Sequence, residues 1–315
     1  MAFHGYKYYA LVAQTILAAI LGFLWDQYLT RSQFRVKVDL SSIRKVFSYS
    51  GYQFAFNIVN YLSRNLDNLL TGKFIGKVEL GYYNKAYSLM LYPVSNLAGV
   101  VTPVLHPVLS DYQDNESIIY HKYIQVVRMF ACIGLLVAPM CYLASEEIIL
   151  IVFGNQWSVS GLCFKFLALA ILPQMINSGA GAIFQSLGNT KLLFFNCCIN
   201  TAITAIAICI GIFIGKDVVF LSICVSFAYI CHFLTAFYML IKFGFGYRCC
   251  DAVMGFKNEL FMLAIMVICL ITFPFSINNT MISLIIKTVW VACFYCAGLI
   301  ITKNYKLLAS IFVRK

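Results

Sequence analysis

The sequence is built from long apolar stretches of about 20 residues that short polar connectors separate. A helix of about 20 apolar residues crosses the hydrocarbon core of a bilayer and satisfies its own backbone hydrogen bonds where water is absent. The longest connector, 27–46, is too short to hold a soluble domain. We predict nine spans, at residues 8–26, 47–71, 86–109, 123–144, 160–186, 191–214, 218–241, 258–276 and 281–302.

The composition agrees with an all-α polytopic membrane protein. Hydrophobic residues make up 62% of the chain and charged residues 11%, whereas soluble domains are about 45–50% apolar. Most of the 13 cysteines fall inside the apolar stretches, where they serve as small apolar side chains. Cys293 and Cys296 form a CxxC pair in mid-helix with no second pair and no histidine nearby, so we expect no metal and no cofactor.

Lysine and arginine are concentrated in the connectors on one side of the predicted membrane. Loops rich in these residues stay in the cytoplasm, and here they lie on the side of the C-terminus, as in the connector 27–46. We therefore predict a protein of the bacterial inner membrane with a periplasmic N-terminus and a cytoplasmic C-terminus. The net charge of +11 is read as this topology signal, and no nucleic acid partner is expected. An outside N-terminus so close to the first span predicts that further helices precede Met1.

The second predicted span carries a continuous polar stripe. Its members follow one another in steps of three or four residues, with one step of one, so they share one helix face. The opposite face is apolar. We therefore predict that the polar face meets water or protein along its whole length. The stripe consists of Gln53, Asn57, Asn60, Arg64, Asp67, Asn68 and Thr71.

Arg64 and Asp67 place opposite charges inside this span. A charge at the bilayer centre costs about 2.5–3.5 kcal/mol on insertion scales, so an interior arginine is a functional-site hypothesis. One interpretation is a structural pair, since residues at i and i+3 are neighbours on a helix. The other is a water-filled cavity in which the forked guanidinium group of Arg64 holds a phosphate.

Other polar residues inside the spans are weaker candidates. Lys165 and Lys287 lie near the predicted outer ends, where long side chains reach the headgroups. Asn177 lies in the small-residue stretch NSGAGAIFQSLG, which suits packing or a hinge. Asn200 is one turn from Asn196, and the pair is typical of bonds across helices. His232 is a candidate proton relay. The segment 146–157 is too short to span and is predicted to lie at the outer interface, with Trp157 as an anchor.

No enzyme motif stands out. His106 and Asp111 match the H-x4-D spacing of some acyltransferases, but Pro107 disturbs the geometry and no supporting motif follows, so we interpret the match as coincidence. The sequence contains no Walker A run, HExxH or GxSxG motif. We therefore expect neither ATP hydrolysis nor another enzymatic activity.

Several motifs in a fixed order carry a family resemblance. They are RNLDNLL, LGYYNKAY, Pro93 and PVLSDYQ within 60–113, then FGNQW at 153–157 and QSLGNTK at 185–191. In this order they resemble bacterial polysaccharide exporters of the O-antigen and colanic acid type, in the MATE-like flippase superfamily. The resemblance runs from Tyr9 to about Gly246, and it departs from the family at His106, where phenylalanine is usual.

The resemblance implies two six-helix lobes around a central cavity, followed by a terminal helix pair. It assigns 1–46 to the last helix of the first lobe with a basic linker. It assigns 47–246 to the second lobe and 247–315 to the terminal pair and a basic tail. About five helices of the first lobe would be absent.

The resemblance also implies an activity. Such proteins are thought to move an undecaprenyl-diphosphate-linked oligosaccharide across the bilayer by alternating access, without an ATP site and alongside other polysaccharide assembly proteins. By position, Arg64 would hold the diphosphate and Asp67 would neutralise it in the absence of substrate. The other cavity candidates are Gln53, Asn57, Asn60 and Asn68, with Lys165, Asn177 and Asn200 as secondary ones.

Three alternatives remain open at this point. A multidrug or cation antiporter of the same superfamily would favour an acidic cavity, whereas the interior expected here is net basic through Arg64, Lys165 and Lys287. A membrane-embedded acyltransferase or polymerase of polysaccharide assembly would need a catalytic constellation or a large outer loop. The chain would be inactive if it is a fragment, because one lobe cannot enclose a cavity between two.

Overall fold

The computed structural model describes residues 7–30, 40–110, 116–273 and 279–305. Within these ranges, side chains are described except at 7–13, 30, 40–49, 64, 97, 98, 100–110 and 116. Every regular element in the described part of the chain is helical, which confirms the all-α class. The α-helices are α1 (Lys7–Thr30), α2 (Leu40–Phe74), α3 (Lys77–Ser110), α4 (Glu116–Leu143), α5 (Ser145–Phe153), α6 (Ser158–Ala168), α7 (Ile171–Asn177), α8 (Ala180–Ser186), α9 (Thr190–Ile210), α10 (Val218–Met239), α11 (Cys249–Met254), α12 (Lys257–Ile271) and α13 (Thr280–Thr302).

The chain divides into two compact units, residues 1–46 and 47–315. Helix α1 belongs to the first unit, and everything described below belongs to the second. Four helical segments are long and apolar enough to cross a membrane: Ser117–Leu143, Thr190–Gly215, Val218–Gly244 and Thr280–Thr302. A fifth candidate is a bent pair, Asn155–Ala168 with Ile171–Ser186. The protein is therefore a polytopic membrane protein, and the number of nine crossings stays a prediction.

The fifth predicted span, 160–186, is broken where a continuous helix was expected. It is divided into α6, α7 and α8, and its two halves meet at 51°. Pro173 in the first turn of α7 has no N–H to donate to the preceding turn, and its ring crowds the carbonyl there. Ser178 and Gly179 interrupt the helix a second time. The break has a chemical cause in the sequence, which the apolar run concealed.

Helix α10 lies at the centre of the second unit. It packs against α9, α6 and α7, and α3 also packs against the broken span, at α6, α7 and α8. Large side chains such as Tyr83, Phe164 and Met175 are fully buried in the core between these helices. The broken span therefore packs against α3, α4 and α10.

Helices α12 and α13 pack against each other and against α4. Two ion pairs join them to the rest of the unit. Arg128 Nε of α4 donates to Glu259 Oε1 of α12 over 2.7 Å. Lys287 of α13 donates to Glu147 of α5, which also accepts a bond from Ser283. Lys287 therefore pairs with a carboxylate, and its predicted contact with headgroups stays a prediction.

The segment 146–157 forms a short helix, α5, and a single 3-10 turn at Asn155–Trp157. Trp157 packs edge-on against Tyr82 of α3, with ring centroids 5.7 Å apart. The Lys85 ammonium lies 4.9 Å from the ring centre of Phe153 and 5.5 Å from that of Trp157. A cation over aromatic faces is attracted by the ring quadrupole, so these contacts attach the short helix to α3. Its position at the outer interface stays a prediction.

Candidate substrate cavity

A cavity of about 480 Å³ lies inside the second unit. Its volume falls within the range of about 300–1,000 Å³ that is usual for small-molecule sites. Helices α2, α3, α7, α8, α9 and α10 form the wall. The polar part of the wall consists of Asn60, Ser63, Asp67, Tyr87, Ser95, Gln174, Asn177, Ser178, Asn196, Asn200, Thr201, Thr204, Tyr229 and His232. Amide and hydroxyl groups therefore dominate the polar chemistry of the described wall.

Helix α2 contributes one narrow face to this wall. Phe56, Asn60, Ser63 and Asp67 follow one another in steps of four, three and four residues, so they lie on one side of the helix. Leu62 on the other side is 60% exposed. The helix therefore turns a polar face towards the cavity and an apolar face outwards.

The broken span supplies a second polar part of the wall. Gln174, Asn177 and Ser178 line the cavity at the end of α7, and Gly181 follows at the start of α8. Irregular backbone at membrane depth is tolerated where it lines a cavity, because its unpaired groups can meet water or a ligand there. The interrupted backbone of the span is thus tolerated because it borders the cavity.

Asp67 is held by two hydrogen-bond donors. The Tyr83 hydroxyl donates to Oδ2 over 3.0 Å, and the backbone N–H of Asn68 donates to Oδ1 over 2.8 Å. Tyr83 is fully buried, and its ring stacks on that of Tyr87 at 5.6 Å. The Tyr87 hydroxyl in turn shares a hydrogen bond with that of Tyr229. A buried carboxylate needs such donors, since an unpaired one is costly in a low dielectric.

His232 sits at the far end of this aromatic row. Its Nε2 atom lies 2.9 Å from the Asn200 carbonyl oxygen and 2.9 Å from the Thr204 hydroxyl. Because a carbonyl oxygen can only accept, Nε2 carries the proton and donates to it. The ring of Tyr229 packs edge-on against the imidazole at 5.2 Å. The row joins Asp67 on α2 to His232 on α10 across the cavity.

Asn196 differs from its neighbours in lacking a bond. Its side chain lines the cavity and is only 7% exposed, yet Oδ1 accepts no hydrogen bond from any described residue. A buried polar atom left without a partner costs about 1–3 kcal/mol. One turn on, Asn200 Oδ1 accepts a bond from Thr235 over 2.7 Å. Asn196 Oδ1 is therefore a buried acceptor without a donor among the described residues.

The structure brings four of the nine predicted site residues to the cavity: Asn60, Asp67, Asn177 and Asn200. The side chain of Arg64 lies outside the described part, as do those of His106 and Asp111. The remaining four have other surroundings. Gln53 accepts a bond from Gln185 over 3.2 Å, Asn57 is exposed, Asn68 keeps a buried Oδ1 without a donor, and Lys165 lies over the ring of Tyr142 at 5.4 Å.

The described lining of the cavity contains neither lysine nor arginine, and because the side chain of Arg64 is outside the described part, the net basic interior stays a prediction. Lys165 and Lys287 point to Tyr142 and Glu147, and neither lines the cavity. Apart from tyrosine and cysteine, the ionisable side chains in the described wall are those of Asp67 and His232. These partners could not be foreseen from position along a span, because a long side chain reaches groups on neighbouring helices.

Sequence reasoning missed the tyrosines. Tyr83 and Tyr87 are one helical turn apart in LGYYNKAY and thus share a face, but aromatic residues at helical spacing usually indicate core packing. Their role follows from contacts with Asp67 and Tyr229, which lie 16 and 142 residues away. No local pattern could have revealed those contacts.

Comparison with a solved structure identifies the fold, and comparison with known sequences then identifies the family. A solved structure, "Lipid II flippase MurJ, inward closed conformation", aligns with 87% of this chain and 57% of its own at a TM-score of 0.59 and 16% identity. At that identity the likeness shows the fold alone: this is a polytopic all-α membrane protein with the fold of a lipid flippase.

The family follows from the sequence. The model of the family described as "Polysaccharide biosynthesis protein" matches residues 1–161 of the 315, and the chain belongs to that family. The teichuronic acid biosynthesis protein TuaB of Bacillus subtilis is 26% identical over 185 residues, 58% of this chain. The lipopolysaccharide biosynthesis protein WzxC of Escherichia coli is 25% identical over 194 residues, 56% of this chain. The chain spans 38% of the length of each of these relatives.

Tyr83→Phe tests the support of Asp67. The change removes only the hydroxyl that donates to Oδ2, so a buried carboxylate loses a donor, at a cost of about 1–3 kcal/mol or more. We expect a lower unfolding temperature for the purified protein in detergent. Tyr92→Phe is the matched control, because Tyr92 is 69% exposed on the same helix. Equal unfolding temperatures for both variants would show that the bond is not needed.

Proposed function

We propose that the protein takes part in moving a lipid-linked oligosaccharide, the repeat unit of a surface polysaccharide, from the cytoplasmic to the periplasmic leaflet. The observation that carries the proposal is a polar cavity inside a membrane protein of a polysaccharide biosynthesis family. The named relatives act in teichuronic acid and lipopolysaccharide biosynthesis, and the structural neighbour is a flippase for lipid II. We propose transport and not an enzymatic reaction.

The two faces of α2 suit such a substrate. The polar face borders the cavity, where a hydrophilic head could cross without contact with hydrocarbon. The outer face carries Phe54, Ile58, Leu62 and Leu69, which are between 46% and 67% exposed. We propose that the polyprenyl tail remains in lipid beside such surfaces while the head passes through the cavity by alternating access, with no ATP hydrolysed on this chain.

The partners and topology are part of the same proposal. We propose undecaprenyl-diphosphate-linked oligosaccharide as the substrate, the inner membrane as the location, and other polysaccharide assembly proteins as neighbours. The N-terminus would be periplasmic and the C-terminus cytoplasmic. Residues 1–46 would form the last helix of a first lobe with a basic linker, 47–246 the six-helix second lobe, and 247–315 the terminal helix pair with a basic tail. Arg64 would bind the diphosphate beside Asp67.

Deletion of the coding region in its own host tests the proposed function. Loss of the flippase should abolish the surface polysaccharide and leave its lipid-linked repeat unit in the cytoplasmic leaflet, because synthesis continues while transfer stops. Both are measured, by polysaccharide immunoblot and by mass spectrometry of extracted lipids, and the wild-type gene should restore the polysaccharide. Normal polysaccharide in the deletion strain contradicts the proposal. Loss of polysaccharide without accumulated repeat unit indicates an assembly enzyme instead.

An experiment can distinguish two roles of Arg64, binding of the diphosphate and structural pairing with Asp67. In the complementing gene, Arg64→Gln should lower polysaccharide export by at least about tenfold at equal protein level. The substitution removes the paired, charge-assisted hydrogen bonds that the guanidinium group would donate to the diphosphate. The double variant Arg64→Gln/Asp67→Asn carries no unpaired charge. If Arg64 only balances Asp67, the double variant restores export. If Arg64 holds the diphosphate, export stays low.

A further inference from the structure

Two opposite charges lie on the outer surface of the second unit at one end of α4, away from the cavity. Glu146 follows α4 in the first turn of α5 and is exposed, whereas Lys165 of α6 is half-buried. Neither residue belongs to the ion pairs found in the described part of the chain. The carboxylate of Glu146 and the ammonium of Lys165 can therefore both meet a ligand at this surface.

The contacts of these two residues place them on adjacent levels of one surface. Glu146 packs against Gly161 of α6, where a Cβ atom added to the glycine would lie 3.3 Å from the Glu146 Cα and Cγ atoms. Lys165 follows Gly161 by one helical turn, about 6 Å along α6. Its ammonium lies 5.4 Å from the ring centre of Tyr142, which precedes Glu146 by four residues. Glu146 and Gly161 thus form one level, and Tyr142 and Lys165 form the next.

The two levels lie on either side of the end of the apolar segment of α4. This segment runs from Ser117 to Leu143, so Tyr142 lies in its last turn and Glu146 lies just beyond its end. Tyrosine is enriched at membrane–water interfaces, where the ring stays in apolar surroundings and the hydroxyl meets water. The level of Tyr142 therefore lies at the inner edge of the headgroup layer, and the level of Glu146 lies within that layer.

The face of α6 that carries Lys165 also carries two exposed leucines. Leu162 and Leu169 are 43% and 42% exposed, and they lie three and four residues from Lys165, which places all three on one side of the helix. A ring face attracts an ammonium but accepts none of its hydrogen bonds in the way that water does, so the ammonium still needs an acceptor. Lipid acyl chains can cover the leucines while the phosphate of the same lipid meets the lysine.

We propose that Tyr142, Glu146 and Lys165 form a binding site for the headgroup of phosphatidylethanolamine. This lipid carries a phosphate and, further from its acyl chains, a primary ammonium. Lys165 at the deeper level holds the phosphate, and Glu146 at the outer level accepts hydrogen bonds from the ammonium. Phosphatidylglycerol lacks the ammonium, and phosphatidylcholine carries methyl groups in place of its N–H donors. The order of charges along the surface therefore selects one class of phospholipid.

Native mass spectrometry of the purified full chain tests the site, with phosphatidylethanolamine, phosphatidylglycerol and phosphatidylcholine of identical acyl chains as probes. We expect the wild type to retain phosphatidylethanolamine about fivefold better than either of the others. Glu146→Gln keeps the size of the side chain and removes its charge, so it should lower the retention of phosphatidylethanolamine to that of phosphatidylglycerol. Lys165→Met removes the ammonium that meets the phosphate, which all three lipids share, so it should lower the retention of all three.

Unfolding temperatures in detergent give an independent measurement. Added phosphatidylethanolamine should raise the unfolding temperature of the wild type, because a ligand that binds only the folded state stabilises it. It should not raise that of Glu146→Gln or Lys165→Met. The matched controls are Lys216→Met and Asp217→Asn, which remove an exposed cation and an exposed anion at the turn between α9 and α10. Both controls should behave like the wild type in both measurements.

The two measurements together separate the lipid site from other roles of the same residues. A preference for phosphatidylethanolamine that is lost in Glu146→Gln and kept in both controls supports the site. Equal retention of the three lipids, a preference for phosphatidylglycerol, or a preference that survives Glu146→Gln overturns it. Lower unfolding temperatures of Glu146→Gln and Lys165→Met with unchanged lipid retention would show that the two residues pair with each other, which also overturns it. The site does not rest on transport, so these results hold whatever the deletion strain shows.

Discussion

The constraint on which this structure depends is the cost of a polar side chain in hydrocarbon. The chain places an arginine, an aspartate and several amides in one helix, α2, and lipid can satisfy none of them. The structure meets this requirement for Asp67 with a buried tyrosine and a backbone N–H, and it turns Asn60 and Ser63 towards a cavity. The orientation of α2 thus brings its polar side chains to the cavity wall.

The broken span meets a related requirement at another part of the cavity wall. A helix that ends inside a membrane protein exposes backbone groups, which need water, protein or a ligand. Here the interruptions after α6 and α7 lie between α3, α4 and α10, and the second of them borders the cavity. A polar helix face and an interrupted helix therefore meet at the same space. A carrier of a hydrophilic head group requires such a space, and the proposed function rests on it.

Much of the fold could be predicted from apolar run length and helical period, because both act locally. A helix lies at each predicted span, and two members of the predicted polar stripe of α2, Asn60 and Asp67, line the cavity. The break within 160–186 was missed, since an apolar run conceals the effect of Pro173. The partner of Lys287 and the role of the tyrosines were not foreseen because the partner residues lie on distant helices. Lys287 meets Glu147, and Tyr83 meets Asp67, only after the helices have packed.

The central claim is that the cavity face of α2 is hydrated and the outer face is not. It is tested most directly by the reactivity of single introduced thiols with a water-soluble maleimide in proteoliposomes, read site by site by peptide mass spectrometry. Ser63→Cys lies on the cavity face and Leu62→Cys on the outer face. The account predicts that the thiol at 63 reacts at least about tenfold faster, because only a hydrated thiolate reacts. Equal rates, or a faster reaction at 62, would contradict it.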